Sequence, residues 1–111
     1  MRDDYGVNEQ MGFSFARLMR RLLGKRGGVN KRRAIHLLME RPYNIYQLAL
    51  KLDLNYRTTQ CLVEKLMDEQ IVERAISGYG KPYGLTMLFR NNIEIFNEIE
   101  AEIIEHEKVT A

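Results

Sequence analysis

Between residues 45 and 67 the apolar side chains keep helical spacing twice, with a three-residue break between, and nothing else in the chain restricts its fold as much. Ile45, Leu48, Ala49 and Leu52 stand at i, i+3, i+4 and i+7, which puts them on one stripe of a helix. Asp53, Leu54 and Asn55 interrupt the run, and Thr59, Leu62, Val63, Leu66 and Met67 then resume it. Two short helices joined by so tight a turn bury their stripes against each other, the arrangement of a helix-turn-helix unit. The second helix, about Tyr56 to Glu69, keeps an outer face of Arg57, Thr58, Cys61, Glu64, Lys65 and Asp68.

The flanking segments follow from the same reading. Asn30 is positioned to cap a helix that carries Ala34, Ile35 and Leu38 and stops near Arg41, before Pro42. Asn44 is the matching cap for the helix at Ile45. Past Gln70 the period changes: Ile71 to Ile76 lean toward strand, Ser77 to Pro82 hold two glycines and a proline, and Tyr83 to Thr86 return, which spells a hairpin. Upstream, Ser14 can cap a helix with Phe15, Leu18, Met19, Leu22 and Leu23 on one side, ended by the glycines at 24, 27 and 28. A last helix, about Asn91 to Glu107, carries Ile93, Phe96, Ile99, Ile103 and Ile104. The expected fold is mainly α with a small β-hairpin. It divides into a loose N-terminal arm (1–12), a basic helix with a Gly-rich hinge (13–28), the helix-turn-helix with its hairpin (29–88) and an acidic amphipathic helix (89–111).

With 111 residues, 45% of them hydrophobic, the chain can build one modest core. It has no apolar run of membrane-spanning length and no signal-peptide pattern at its start, so a cytoplasmic protein without a membrane partner is expected. Cys61 has no second cysteine to pair with, and His36 and His106 do not complete a metal-ligand spacing; no metal and no cofactor are expected. His36 leans toward solvent and His106 suits a helix C-terminus, both structural readings. No nucleophile elbow, phosphate-cradling glycine loop or paired catalytic carboxylates occur, which argues against an enzyme.

The net charge of +2 is unevenly distributed. Residues 1–87 hold 15 Lys and Arg against 9 Asp and Glu, a net +6, whereas residues 88–111 hold 2 against 6, a net −4. From Arg17 to Arg33 there are basic residues and no acidic one. Such density suits a polyanion, because each cation set on a phosphate releases counterions; a solvated helix face is the plainer alternative.

A helix-turn-helix leaves its second helix free for the major groove of a DNA duplex, where each base pair shows its own donor and acceptor pattern. The residues offered at that helix are Asn55, Tyr56, Arg57, Thr58, Gln60 and Lys65. Arg57 is suited to guanine and Gln60 to adenine, while Tyr56 and Thr58 can hold phosphates. At the hairpin tip, Ser77, Tyr79 and Lys81 can follow the backbone or enter the minor groove. Arg32 and Arg33 are candidate phosphate contacts at the edge of this footprint. The face of the last helix is broader than a small core needs, and Phe96, Ile99 and Ile103 have the spacing of a seam against a second copy, with Phe15, Leu18, Met19 and Leu22 as a second surface.

Over residues of about 31 to 88 the chain resembles the winged helix-turn-helix domains of bacterial and archaeal regulators, especially the ArsR-like group. The stretches that carry the likeness are YQLALKLDLNYRTTQCLVEKL as the helix-turn-helix, IVER as the first wing strand and YGLT as the second. The resemblance implies sequence-specific binding of double-stranded DNA by a homodimer, a recognition helix at Asn55 to Gln70, a wing at Ser77 to Pro82, and dimerisation through the terminal helices, including Ile93 and Ile104. Metal-sensing members carry paired cysteines or a histidine and carboxylate set, and neither is present here. Cys61, one turn after Arg57, stands where oxidation would block the groove-facing surface, but it has no resolving cysteine. The competing reading is a winged helix used to bind protein or RNA, since fold does not fix function.

Overall fold

The computed structural model describes residues 4–24, 27–76 and 80–110, with side chains described for 14–24, 27–76 and 80–109. It divides into two compact units, one of residues 1–28 and 92–111, the other of residues 29–91.

In the second unit the helix α2 (Gly28–Glu40, whose first residue belongs to the other unit) begins two residues before the expected cap at Asn30. A β-carbon at Gly28 would run into the carbonyl oxygen of Leu23, so this close backbone approach requires glycine there. Ala34, Ile35 and Leu38 are buried as their spacing requires. The next helix, α3 (Ile45–Leu52), is fixed at both ends. Asn44 Oδ1 accepts from Gln47 N at 2.8 Å while Gln47 Oε1 accepts from Asn44 N at 2.9 Å, a reciprocal cap that satisfies two donors the helix cannot satisfy itself. At the other end Asp53 is left-handed, with φ 59°, and Leu54 N donates to Ala49 O at 3.0 Å. Asn55 Oδ1 then accepts from Thr58 N at 2.7 Å and opens α4 (Tyr56–Asp68). Ile45, Leu48, Ala49 and Leu52 of α3 and Thr59, Leu62, Val63 and Leu66 of α4 are buried, and the two helices pack together.

The hairpin is shorter than its sequence suggests. Strands β1 (Val72–Arg74) and β2 (Tyr83–Leu85) pair antiparallel in the register Val72 to Leu85, Glu73 to Gly84 and Arg74 to Tyr83. Beyond the strands, Ala75 N still donates to Pro82 O at 2.9 Å. On its other edge Tyr83 exchanges both backbone bonds with Tyr43, at 2.8 and 3.2 Å, which ties the hairpin to the segment just before α3. Thr86 was expected to end the return strand; instead its hydroxyl donates to Gln70 O at 2.6 Å and accepts from Phe89 N at 3.1 Å, capping a short helix α5 (Met87–Asn91) that buries Phe89. This element order is a winged helix-turn-helix.

In the first unit α1 (Asp4–Leu23) packs against α6 (Ile93–Thr110). The expectation of a loose arm over residues 1–12 needs correcting from Asp4 onward, where the backbone is helical and Ser14 lies inside the helix. Gly6 and Gly12 each cost about 1 kcal/mol against alanine, too little to stop a helix already nucleated by a packed segment. Arg20 Nε and Nη2 donate to Glu102 at 3.2 and 3.4 Å, but with both side chains more than half exposed the pair adds little stability.

The same unit changes the reading of the proposed dimer seam. Phe15, Met19, Leu22, Phe96 and Ile99 are buried within a single chain. Leu18, Ile93 and Ile103 are half-buried, and Ile104 is exposed. The first five side chains are already covered and present nothing to a second copy; the broad face read in the sequence is largely core.

Candidate nucleic-acid interface

The cap at Asn55 determines what the start of α4 offers. Its side-chain oxygen accepts from Thr58 N, so Asn55 starts the helix, while its exposed amide nitrogen makes no hydrogen bond among the described residues. Tyr56, Arg57 and Thr58 are exposed in the first turn, Gln60 is half-buried, and Cys61 and Lys65 are exposed farther along. At about 100° per residue, Arg57, Cys61, Glu64 and Asp68 lie within about 60° of one line along the helix, with Thr58 and Lys65 on one flank and Gln60 on the other. No side-chain hydrogen bond or ion pair ties down Arg57, Glu64, Lys65 or Asp68 among the described residues. The first turn thus carries a free guanidinium, and the later turns carry free carboxylates on the same line.

The hairpin tip brings in further residues. Gly80 and Lys81 are both left-handed, with φ 74° and 58°, and Lys81 is exposed. Ser77 and Tyr79 lie outside the described residues. Between the start of α3, the start of α4 and the hairpin is an open cleft of about 200 Å³, whose walls include Asn44, Tyr46, Tyr56, Arg74, Lys81 and Tyr83. The Arg74 guanidinium carbon stands 5.2 Å from the centroid of the Tyr83 ring, within cation–π range. Tyr46 and Arg74 were not among the residues singled out in the sequence. Tyr46 was legible, since it follows Ile45 out of the buried stripe. Arg74 was not, because its place opposite Tyr83 depends on a register that the sequence leaves open.

The two arginines of α2 need correction. Arg32 is only 8% exposed and its Nε is buried, so little of it is open to a phosphate. Arg33 is exposed, but its Nη1 donates to Asn30 Oδ1 at 3.1 Å and to Leu52 O at 3.2 Å, and its Nη2 to Lys51 O at 3.4 Å. It closes the carbonyl end of α3, as basic side chains do at helix C-termini, and so braces the helix-turn-helix. Among the described residues no group of three or more His, Cys, Asp or Glu is arranged to hold a metal, and no helix is long and apolar enough to cross a membrane.

No family model and no curated protein sequence matches this chain. Solved structures do resemble it. A probable transcriptional regulator from Pseudomonas aeruginosa superposes with a TM-score of 0.64 at 18% identity, over 99% of this chain and 86% of that one. MepR, a transcription regulator of the Staphylococcus aureus multidrug efflux pump MepA, gives 0.58 at 13% identity, over 96% and 77%. Lactococcus lactis ZitR gives 0.52 at 12% identity over 73% of this chain, which spans 56% of ZitR's length. At these identities the likeness establishes the shared fold.

Proposed function

We propose that this chain is a sequence-specific regulator of transcription that binds double-stranded DNA as a homodimer. The observation that carries the reading is the start of α4, where a capped helix presents Tyr56, Arg57 and Thr58 to solvent beside a hairpin bearing Lys81. A helix so mounted enters a major groove by its N-terminal end, and the hairpin follows the adjoining backbone. Two of the similar structures are described as transcription regulators, one of them as probable, which supports the same assignment. The nearer affinity to the ArsR-like group is part of this proposal and rests on the resemblance over residues of about 31 to 88. In this reading Arg57 contacts guanine, Gln60 reaches a base edge from its half-buried position, Lys65 and Thr58 hold phosphates, and Ser77, Tyr79 and Lys81 form the wing contact. The direct test is a gel shift with random duplex DNA against single-stranded RNA at two salt concentrations, followed by selection of bound duplexes. Preferential, salt-sensitive binding of duplexes that share one enriched sequence is the expected result; equal or stronger binding of RNA overturns it.

One observation favours a second reading. Glu64 and Asp68 share the exposed line of α4 with Arg57, and Tyr46 and Leu50 are 63% and 65% exposed on α3. A helix-turn-helix with acid and apolar groups on its open side also suits a protein partner. The absence of any duplex shift at low salt would decide for that use.

A further inference from the structure

We infer that the cleft between α3, α4 and the wing seats a phosphodiester of the strand that separates the two grooves, and that Arg74 and Tyr46 hold it. The inference rests on the duplex reading above and adds to it a second site, outside the recognition helix.

A helix in the major groove and a hairpin at the neighbouring minor groove have one sugar–phosphate strand between them, and the first helix of the unit crosses that backbone. The protein surface between the two elements therefore lies on phosphates, and here that surface is concave. The cleft, at about 200 Å³, is several times the roughly 30 Å³ that one water takes in the liquid. Two cations, Arg74 and Lys81, line it, and no carboxylate does so among the described residues. Neither cation has an ion-pair partner among those residues, and the hydroxyls of Tyr46 and Tyr56 likewise make no hydrogen bond there. Unpaired donors gathered in a concavity with cations of one sign raise the local positive potential and attract an anion.

One wall is anchored by backbone pairing. Tyr83 is buried, is bonded through its backbone to Tyr43 on one edge and pairs with Arg74 on the other. Its ring lies at cation–π distance from the Arg74 guanidinium and favours that position of the exposed side chain. Asn44, also in the lining, has its side-chain oxygen committed to the α3 cap. Lys81 adopts a left-handed backbone, with φ 58°. The seat gives no sequence information. It fixes how far α4 enters its groove and in what register, as phosphate contacts do.

The test uses the whole chain and a duplex recovered by selection, with each phosphate in turn replaced by a neutral methylphosphonate. The unmodified protein should lose affinity sharply at one linkage in each half-site. Arg74→Ala should weaken binding to all duplexes alike, leave the preferred sequence unchanged, and lower the slope of log affinity against log salt by about 0.9. Its deficit should then shrink by about 3.5-fold as salt rises fourfold. Substitution at the sensitive linkage should cost Arg74→Ala less than it costs the parent, because Lys81 remains in the cleft. Arg74→Lys should restore the slope, and Tyr46→Phe should weaken binding at the same linkage without changing the slope, because the phenol is neutral. Duplex binding by Arg74→Ala with an unchanged slope and an unchanged methylphosphonate profile overturns the seat and leaves the duplex reading standing. A wild-type protein that shifts no duplex at any salt overturns both.

Discussion

Gly80 and Asn44 show how tightly single residues are coupled across the wing. Gly80 has φ 74°, and a β-carbon there would meet the Asn44 side-chain nitrogen. Asn44 cannot swing away freely, since its oxygen holds Gln47 N and its backbone N–H donates to Gln47 Oε1. Gly80→Ala is therefore expected to lower stability by about 1–2 kcal/mol, from the left-handed backbone and the disturbed cap together. Urea unfolding measures this directly, and a variant as stable as the parent would mean that the wing turn relaxes at no cost. Arg57 is a different case. It is exposed and unpaired, so Arg57→Ala should leave stability within about 0.5 kcal/mol. Its effect belongs to binding: a loss of about 1–3 kcal/mol on the preferred duplex and a relaxed preference at one base position. A selected sequence that is unchanged in the variant removes Arg57 from base readout.

At the scale of elements, α4 sets two charges against each other along one line. Arg57 in its first turn suits a groove lined with phosphates; Glu64 and Asp68 farther along repel them. A helix lying flat would bring all three to the phosphates, so the proposed docking admits only the N-terminal turns. Glu64→Gln with Asp68→Asn should then raise affinity for every duplex by about 0.5 kcal/mol per carboxylate at low salt, with no change in the sequence preferred. A changed preference, read by repeating the selection, would place the later turns in the groove as well. These two helices were also the most legible part of the chain, because a stripe at i, i+3, i+4 and i+7 bounded by Asn44 and Asn55 admits little besides two capped helices. The short elements were not. A five-residue helix such as α5 is too brief to display a period, and Thr86, which caps it, is as common at the end of a strand. The arginines of α2 misled for another reason: sequence shows that Arg32 and Arg33 are basic, whereas only packing shows that one is covered and the other bonded to the end of α3.

For the whole molecule the open question is what a second copy would hold. The apolar spacing of α6 was legible, but spacing alone does not say whether a face meets its own chain or another. Phe96 and Ile99 prove to be core. Replacing Phe96 by a charged residue would remove a buried aromatic worth about 3–5 kcal/mol and unfold the unit, so it cannot report on association. On α6 the large apolar side chains left exposed among the described residues are Ile104, 40% exposed, and Val109, 76% exposed. Charge favours pairing of like with unlike: residues 88–111 carry a net −4 and residues 1–87 a net +6, so an acidic α6 can lie near basic residues of a symmetry mate. A two-fold dimer of this kind would present its recognition helices about 34–36 Å apart and select near-palindromic sites. Ile104→Asp with Val109→Asp should convert such a dimer to a monomer in light scattering, while the thermal midpoint, extrapolated to low concentration, stays near that of the parent because neither side chain is buried. The same variant should bind a single half-site and lose its preference for the palindrome. A parent protein that scatters as a monomer at micromolar concentration removes the homodimer, and selection should then return a site without two-fold symmetry.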